Sequence, residues 1–498
     1  MVTVGRVARW GGRLLAALGD DVRRFRATVG RRQSTEPTLR VYDLSFPHGR
    51  RRLHLRTAAD GSAVLLVDAT DAIHLNPTAA ILTRLALEST PVDRAATLLR
   101  SRFRGVGRDT ARSEADKVYA LVDRLTSDTD SCPTCGLTDI EWSPPFSVPV
   151  SAPYKADVAL TYRCNNACPH CYSQHRNNSL SALRAPLSPP QWHDVLRRLS
   201  EIGIPHVIFT GGEPTLVEGL EDLIRTAAGL GLVTGLNTNG RRLSERRFAA
   251  SLRAAGLDHV QVTLESHRPE VHNAMTGADS FGQTNHGIHN ALDEGLYTIT
   301  NTTLTRKNID HANQIVEYLH QLGMRTFAMN SMIYTGGGQT SDDAVSAERL
   351  APVLADVRDS AAELRMRFLW YTPTEYCRLS PVELELGPRR CNAGEYSICI
   401  EPNGDVLPCQ SYYVPAGNLL RDPWEHIWRS ELFGSFRRRV SDPRGAGLPE
   451  RCWSCPNLAV CAGGCRIERE HLRKAIDCKA TFLSSAASDD GKAVSPRG

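Results

Sequence analysis

The 498-residue sequence lacks the features that mark membrane, secreted and strongly basic proteins. No apolar run approaches the roughly 20 residues that a membrane-spanning helix needs. The run LLAAL near the beginning is too short for the apolar core of a secretory signal, and no A-x-A-like cleavage site follows it. A formal net charge of only +4 gives little reason to expect nucleic-acid binding. We therefore expect a cytoplasmic protein that binds neither membrane nor nucleic acid.

Cysteine is abundant instead, with 14 residues that cluster in close pairs and triplets. Disulfide scaffolds are typically short secreted chains, and neither description fits this sequence. The hydrophobic content of 41% and charged content of 23% are typical of a globular enzyme. The cysteines therefore indicate metal binding in a reducing compartment.

Changes in composition divide the sequence into six segments, which fits a chain of two or three domains. The predicted segments are a basic extension (1–38), a small unit (39–126), a linker rich in Ser, Thr, Asp and Pro (127–156), a strand–helix segment (157–345), a cysteine-rich segment (346–478) and a tail expected to be disordered (479–498).

The small unit has three predicted strands, TLRVYDL, AVLLVD and AIHLN, separated by turn residues. Asn76 and Pro77 are typical of a helix start, and Ile81, Leu82 and Leu85 follow at helical spacing. Two further amphipathic segments complete a winged-helix-like arrangement of three strands and three helices.

The strand–helix segment alternates six predicted strands with helical patterns. The strands are 158–162, 206–210, 232–236, 259–264, 297–304 and 325–333. A helix begins after Ser188 and has Trp192, Val195, Leu199 and Ile202 along one face. Serial β–α units predict a parallel sheet, either curved into an open barrel or doubly wound.

The first predicted strand runs into the stretch LTYRCNNACPHCYS, which contains Cys164, Cys168 and Cys171. A zinc finger needs four ligands, and a thioredoxin-type motif needs two cysteines. Three thiolates on one loop instead suit a cubane iron–sulfur cluster in which one iron has no protein ligand.

This C-x3-C-x2-C spacing, with His170 before the last cysteine and Tyr172 after it, resembles the radical S-adenosylmethionine (radical SAM) family. Motifs at later strand ends extend the resemblance: TGGEP, TNG, ES in QVTLES (where relatives often have SLDG) and the glycine turn MIYTGGG. The resemblance implies a partial (β/α)6 barrel and SAM bound on the open iron. The implied SAM-binding residues are His170, Gly211, Gly212, Glu213, Pro214, Asn239, Glu265 and Ser266. The turn MIYTGGG is expected near the adenine.

The later cysteines follow the pattern C-x12-G-x4-C…C-x2-C-x5-C-x3-C…C, which resembles the SPASM extension with its two auxiliary clusters. The implied outer-cluster ligands are Cys452, Cys455, Cys461 and Cys478. The implied inner-cluster ligands are Cys391, Cys409 and Cys465, with Cys377 as the fourth. With the SAM-binding cluster this makes three 4Fe-4S clusters.

Other interpretations of these cysteines stay open. The stretch 452–465 taken alone also fits a structural zinc site. Without Cys377, the inner cluster would keep an open iron. Cys399 is expected to be a buried apolar residue. Cys132 and Cys135 form a C-x2-C pair that the sequence does not assign.

The small unit, 39–126, resembles the PqqD-like RiPP recognition element through its segment AIHLNPTAA and the helices after it. This resemblance implies that it binds the leader of a ribosomally made precursor peptide by strand addition. A winged-helix unit used for DNA binding, or only as structure, is the alternative, and Arg50, Arg51 and Arg52 favour DNA weakly.

Together the resemblances imply a maturase that cleaves SAM to a 5′-deoxyadenosyl radical and crosslinks a precursor peptide through a thioether, C–C or C–O bond. An electron donor such as flavodoxin or ferredoxin is expected. Peptide epimerisation, side-chain oxidation and formylglycine formation in a sulfatase-type protein are the alternative reactions, and a non-enzymatic regulator is the alternative class. The sequence assigns no catalytic acid or base.

Overall fold

The computed structural model describes residues 38–46, 49–58, 60–67, 71–103, 105–127, 150–173 and 185–473. They fall into two compact units, which divide after Ser143. The basic extension up to residue 37, most of the linker with Cys132 and Cys135, and the tail with Cys478 lie outside the described residues.

Within these ranges, the helices are too short or too polar to cross a bilayer.

The first unit is a four-stranded antiparallel sheet followed by three helices. The strands are β1 (Thr38–Phe46), β2 (Gly49–Thr57), β3 (Ala63–Val67) and β4 (Asp71–Leu75), paired in chain order. The helices are α1 (Pro77–Leu87), α2 (Val92–Arg102) and α3 (Arg108–Ser127). As predicted, Asn76 caps α1, because its Oδ1 accepts a hydrogen bond from the Ala79 N–H at 2.8 Å.

The prediction of three strands was wrong, because β2 is a fourth. Its sequence GRRRLHLRT alternates Leu53 and Leu55 with Arg52, His54 and Arg56, and all five side chains are buried. A strand that carries arginines on a buried face does not show the usual alternation of apolar and exposed polar residues. Since Arg52 is buried in the sheet with its Nε 3.8 Å from Asp43, it does not supply a free basic surface for DNA.

The second unit contains seven parallel strands in chain order. They are β5 (Lys155–Thr161), β6 (His206–Gly211), β7 (Val233–Thr238), β8 (His259–Thr263), β9 (Tyr297–Thr303), β10 (Thr326–Asn330) and β11 (Arg367–Trp370). The helices between them are α4 (Pro189–Ile202), α5 (Leu220–Gly229), α6 (Arg246–Ala255), α7 (Pro269–Thr276), α8 (Phe281–Asp293), α9 (Ala312–Gln321) and α10 (Ala347–Glu363). The alternation of strand and helix places the carboxyl ends of the parallel strands along one edge.

Six of these strands match the predicted ones, and β11 extends the sheet beyond the predicted boundary at residue 345. Its pairing with β10 is parallel, starting at Thr326 and Arg367. Phe368 stacks on Phe327 with ring centroids 5.2 Å apart. Four residues are too few to show a period, so β11 gives little sequence signal.

The cysteine-rich segment joins the opposite edge of the same sheet. β12 (Ser397–Ile400) pairs parallel with β5, and β13 (Asp405–Leu407) and β14 (Gly417–Asn418) follow as antiparallel strands. The short helices α11 (Trp424–Trp428), α12 (Glu431–Arg437) and α13 (Leu458–Cys461) come next. The strand–helix segment and the cysteine-rich segment therefore share one ten-stranded sheet.

The core of the second unit lies between the sheet and its helices. In α4, the predicted apolar face is buried through Trp192, Val195 and Leu199, against strand residues such as Phe209. Burying one such large side chain contributes about 1.5–3 kcal/mol relative to leaving it exposed. This packing makes the sheet a rigid support for the loops at its carboxyl edge.

Candidate functional site: a three-cysteine loop with two further cysteine groups

The loop after β5 brings Cys164, Cys168 and Cys171 close together. Burial raises the pKa of the Cys168 thiol, and the nearby Cys171, Glu265 and Cys164 raise it further. Thiols must lose their protons to ligate iron, so cluster binding here releases protons. In the described chain, no three cysteine, histidine or carboxylate side chains already enclose a metal position. The structure therefore shows proximity of the three thiols, not a closed ligand set.

The end of β6 supports one side of this loop. The Gly212 N–H donates to the Thr161 carbonyl at 2.6 Å, and the Glu213 N–H donates to the Arg163 carbonyl at 2.8 Å. Gly211 has a φ of +132°, and a Cβ atom there would overlap the Thr161 carbonyl oxygen. The two glycines of TGGEP are therefore needed for close backbone approach to the cysteine loop.

Two other glycine turns support the opposite side. The Ala167 N–H donates to the Thr276 carbonyl at 2.9 Å, beside Gly277, where a Cβ would overlap the backbone of Ala167. The Gly337 N–H donates to the Cys171 carbonyl at 2.9 Å. The predicted turn MIYTGGG thus lies against the last cysteine of the loop, and its expected adenine contact stays a prediction.

Glu213 is a fully buried carboxylate, and none of the described residues places a cation beside it. Its Oε1 accepts hydrogen bonds from the Thr215 N–H (3.1 Å), the Thr215 hydroxyl (2.6 Å) and the Thr238 hydroxyl (2.7 Å). Among the described residues, Oε2 accepts only from the Asn239 N–H (2.8 Å). Burial raises the pKa of Glu213, and these hydrogen bonds oppose the rise. Since a carboxylate offers about four acceptor positions, two per oxygen, Oε2 can accept from one more donor. An incoming ammonium group fits this position.

Glu265 and His170 form a partly buried contact that the sequence did not predict. His170 Nε2 lies 3.2 Å from Glu265 Oε1, and Glu265 Oε2 accepts from the Thr303 N–H at 2.8 Å. Burial lowers the pKa of His170, but the hydrogen bond to Glu265 and its charge outweigh this and raise it. Glu265 therefore orients a residue of the cysteine loop.

The other predicted SAM-binding residues lie beside these. Asn239 donates from Nδ2 to Asn165 Oδ1 in the cysteine loop at 2.7 Å. Pro214 begins a short 3-10 helix, and Ser266 is buried and accepts from the Arg268 N–H at 3.1 Å. The expected contacts of Glu265 and Ser266 with the ribose of SAM stay predictions.

Cys391, Cys409 and Cys465 form a second cysteine group, which we call the inner group. Burial and, after it, the nearby Cys391 raise the pKa of the Cys465 thiol to about 12. The same two causes raise the pKa of the Cys409 thiol. Arg439 Nη2 donates to the Cys391 carbonyl at 2.8 Å, whereas its Nη1 is buried with no hydrogen-bond partner in the described chain. A buried cationic donor without an acceptor fits a site that holds anionic sulfur.

Cys452, Cys455 and Cys461 form a third group, the outer group, which lines a cavity of about 380 Å³. Cys377 lines the same cavity, although the sequence placed it with the inner group. Two hydrogen bonds place the segment before Cys377 beside the end of the outer group: the Cys465 N–H donates to the Pro373 carbonyl, and the Tyr376 N–H donates to Cys461 Sγ. Cys399 is fully buried in β12, as expected of an apolar position.

Comparison with known proteins identifies the fold. Residues 158–319 match the Radical SAM superfamily, and residues 391–456 match SPASM, an iron-sulfur cluster-binding domain. A PqqA peptide cyclase from Streptomyces rochei is 31% identical over 331 residues, covering 65% of this chain and 87% of the relative. The chain belongs to the radical SAM superfamily. It is a radical SAM enzyme with a C-terminal SPASM domain, and its cofactors are SAM and iron–sulfur clusters.

Solved structures agree with this radical SAM fold. Streptococcus suis SuiB bound to S-adenosylmethionine has a TM-score of 0.58 and 16% identity, covering 82% of this chain and 93% of SuiB. SuiB bound to its precursor peptide SuiA has a TM-score of 0.57 and 17% identity, with the same coverage. The predicted α/β radical SAM fold with a SPASM domain is therefore confirmed, while the PqqD-like identity of the first unit stays a prediction.

Proposed function

We propose that this radical SAM enzyme modifies a ribosomally made precursor peptide by forming an intramolecular crosslink. The observation that carries the proposal is the three-cysteine loop fastened beside Glu213, a buried carboxylate with an acceptor position to spare. When bound, the cluster and SAM supply a 5′-deoxyadenosyl radical that removes a hydrogen atom from an unactivated carbon. The likeness to a PqqA peptide cyclase supports a peptide as substrate.

The residues of this chain would bind and orient SAM. Glu213 Oε2 would accept a charge-assisted hydrogen bond from the methionine ammonium of SAM. Cys164, Cys168 and Cys171 would ligate three irons, so that the fourth is free for SAM. His170, held by Glu265, would contact the nucleoside beside the cluster. Fixing the reacting groups in this way removes much of the entropic cost of the reaction.

The first unit would hold the leader of the precursor peptide. Among its described strands, β1 and β4 are the outer ones, and an extended peptide can add to such an edge through backbone hydrogen bonds. The unit has its own buried core, which includes Leu53, Leu55 and Leu65. It can therefore act as a binding module in its own right.

The SPASM cysteines would bind two auxiliary clusters, in the inner and outer groups. Forming a crosslink removes two hydrogen atoms from the peptide. One leaves as an atom to the deoxyadenosyl radical, and the other leaves as a proton and an electron. The auxiliary clusters would accept that electron, and flavodoxin or ferredoxin would supply the electron that starts each turnover.

The test uses full-length enzyme, reconstituted without oxygen, with reductant, SAM and a synthetic peptide encoded by a short reading frame beside its gene. The expected product is the peptide lighter by two hydrogen atoms, with a bond that survives reduction and appears in tandem mass spectra. Epimerisation would leave the mass unchanged, and oxidation of a side chain would leave no new link between residues. Consumption of SAM with an unmodified peptide would contradict the proposal.

A further inference from the structure

Four cysteines line the cavity of the outer group. The sequence pattern assigns three of them, Cys452, Cys455 and Cys461, to the outer cluster. Cys377 lines it together with Cys452, Cys455 and Cys461, and Glu375 and Arg451 are also at its wall. The cavity volume of about 380 Å³ is more than ten times the roughly 30 Å³ that one water occupies in the liquid. The cavity therefore has room for a group much larger than a single water.

Backbone contacts fix Cys377 at this wall. The Cys465 N–H donates to the Pro373 carbonyl at 2.9 Å, and the Tyr376 N–H donates to Cys461 Sγ at 3.4 Å. Gly464 has a φ of +65°, and a Cβ there would lie 2.6 Å from the backbone nitrogen of Glu375. The segment before Cys377 is thus held along the segment that ends the outer group.

One arginine, Arg451, and two carboxylates, Glu375 and Glu383, stand beside the cysteines at the cavity wall. Arg451 Nη2 donates to both carboxylate oxygens of Glu375, at 2.9 and 3.1 Å, and Arg451 interacts with Cys377 and Cys452 as well. Because it is positive, Arg451 offsets part of the negative charge that thiolate ligands bring together.

We propose that Cys377 is a thiolate ligand of the outer iron–sulfur cluster, beside Cys452, Cys455 and Cys461. This rests on the proposed presence of two auxiliary clusters. The four cysteines then complete the outer cluster, and Cys478 is not required as a ligand. The inner cluster keeps Cys391, Cys409 and Cys465 as its cysteines within the described chain, so one of its irons takes a ligand other than Cys377.

The test combines Cys377→Ala with removal of the inner group and, separately, with removal of the outer group. The full-length chain used already carries Cys164→Ala, Cys168→Ala and Cys171→Ala. Iron per chain is measured after reconstitution without oxygen. When the inner group is removed by Cys391→Ala and Cys409→Ala, adding Cys377→Ala should lower the remaining iron, because the outer cluster then keeps three cysteine ligands instead of four. When the outer group is removed by Cys452→Ala and Cys455→Ala, adding Cys377→Ala should change little.

The reverse pattern would place Cys377 on the inner cluster and overturn the proposal. An iron content that Cys377→Ala leaves unchanged in both backgrounds would also overturn it, and so would zinc in place of iron. Cys399→Ala is the control, because Cys399 is buried in β12 and does not line the outer cavity. Cys478→Ala, in the chain without the inner group, should retain its iron.

Cys377→Ser is a second variant that keeps the test valid if Cys377→Ala fails to fold. With the inner group removed, a serine oxygen that replaces the thiolate should keep the iron but change the electron paramagnetic resonance spectrum of the reduced cluster. An unchanged spectrum would contradict ligation by Cys377. Neither measurement needs a peptide, so failure of the peptide-modifying function would not affect them.

Discussion

The hydroxyl of Tyr172 donates a hydrogen bond to Gln410 Oε1, at 3.3 Å. Tyr172 follows Cys171 of the three-cysteine loop, and Gln410 follows Cys409 of the inner group. A second bond runs from the Tyr413 hydroxyl to the Tyr172 carbonyl at 3.1 Å. The radical SAM loop and the SPASM segment therefore contact each other beside Cys171 and Cys409. We expect an electron to pass between the proposed clusters through this contact.

Replacing Tyr172 by Phe removes the first of these bonds. A neutral hydrogen bond contributes about 0.5–1.5 kcal/mol, so we expect the peptide product formed per SAM cleaved to fall roughly 2- to 10-fold. Iron content and SAM affinity should stay unchanged. Product and 5′-deoxyadenosine are quantified together by mass spectrometry. Tyr318→Phe, which removes a hydroxyl bonded to Asn285, is the control; an equal effect there would contradict a specific role for Tyr172.

Glu213→Gln should weaken SAM binding without loss of iron. A hydrogen bond to a charged group contributes about 1.5–3 kcal/mol, so the dissociation constant should rise by roughly one to two orders of magnitude in titration calorimetry. Glu218→Gln, an exposed carboxylate on the same loop, should bind SAM normally. Unchanged affinity in Glu213→Gln would exclude the proposed ammonium contact.

Replacing Cys164, Cys168 and Cys171 together by Ala should abolish formation of 5′-deoxyadenosine. Iron should fall by about one cluster out of three, because the inner and outer groups lie in a different segment of the chain. Cys399→Ala should retain both its iron and SAM cleavage. Cleavage at the unaltered rate in the triple variant would show that another site binds SAM.

The first unit should bind the leader of the precursor peptide when expressed alone as residues 38–127. Strand addition pairs backbones, so a leader residue replaced by proline within the paired stretch should lose binding, while conservative side-chain changes should cost less. Fluorescence anisotropy of a labelled leader measures this. Deleting the unit should stop peptide modification but spare SAM cleavage. A unit that ignores the leader and binds duplex DNA, with affinity that falls steeply as salt rises, would support the winged-helix alternative.

The sequence was enough for the parts of the fold whose signal is local. The three-cysteine loop after β5 and TGGEP at the end of β6 could be predicted from short motifs, because each depends on the chemistry of one turn. The helix after Ser188 was predicted correctly because its cap and its apolar face are contiguous in sequence.

The missed features depend on contacts between distant residues. Glu265 lies 95 positions from His170, and Gln410 lies 238 positions from Tyr172. β2 was missed because its arginines are buried, and β11 because it is only four residues long. Cys377 is predicted beside the inner group by the resemblance, whereas in the structure it lines the outer cavity, near a hydrogen bond from the Cys465 N–H to the Pro373 carbonyl.

Transfer of deuterium from the peptide to 5′-deoxyadenosine tests the central claim most directly. The reconstituted enzyme is given reductant, SAM and a precursor peptide whose core residues carry deuterium on carbon. If the enzyme abstracts hydrogen from the peptide, one deuterium should appear in 5′-deoxyadenosine for each peptide molecule that loses two hydrogen atoms, counted as hydrogen or deuterium. Deoxyadenosine without deuterium, formed beside an unaltered peptide, would contradict the claim that this protein is a peptide-modifying radical SAM enzyme.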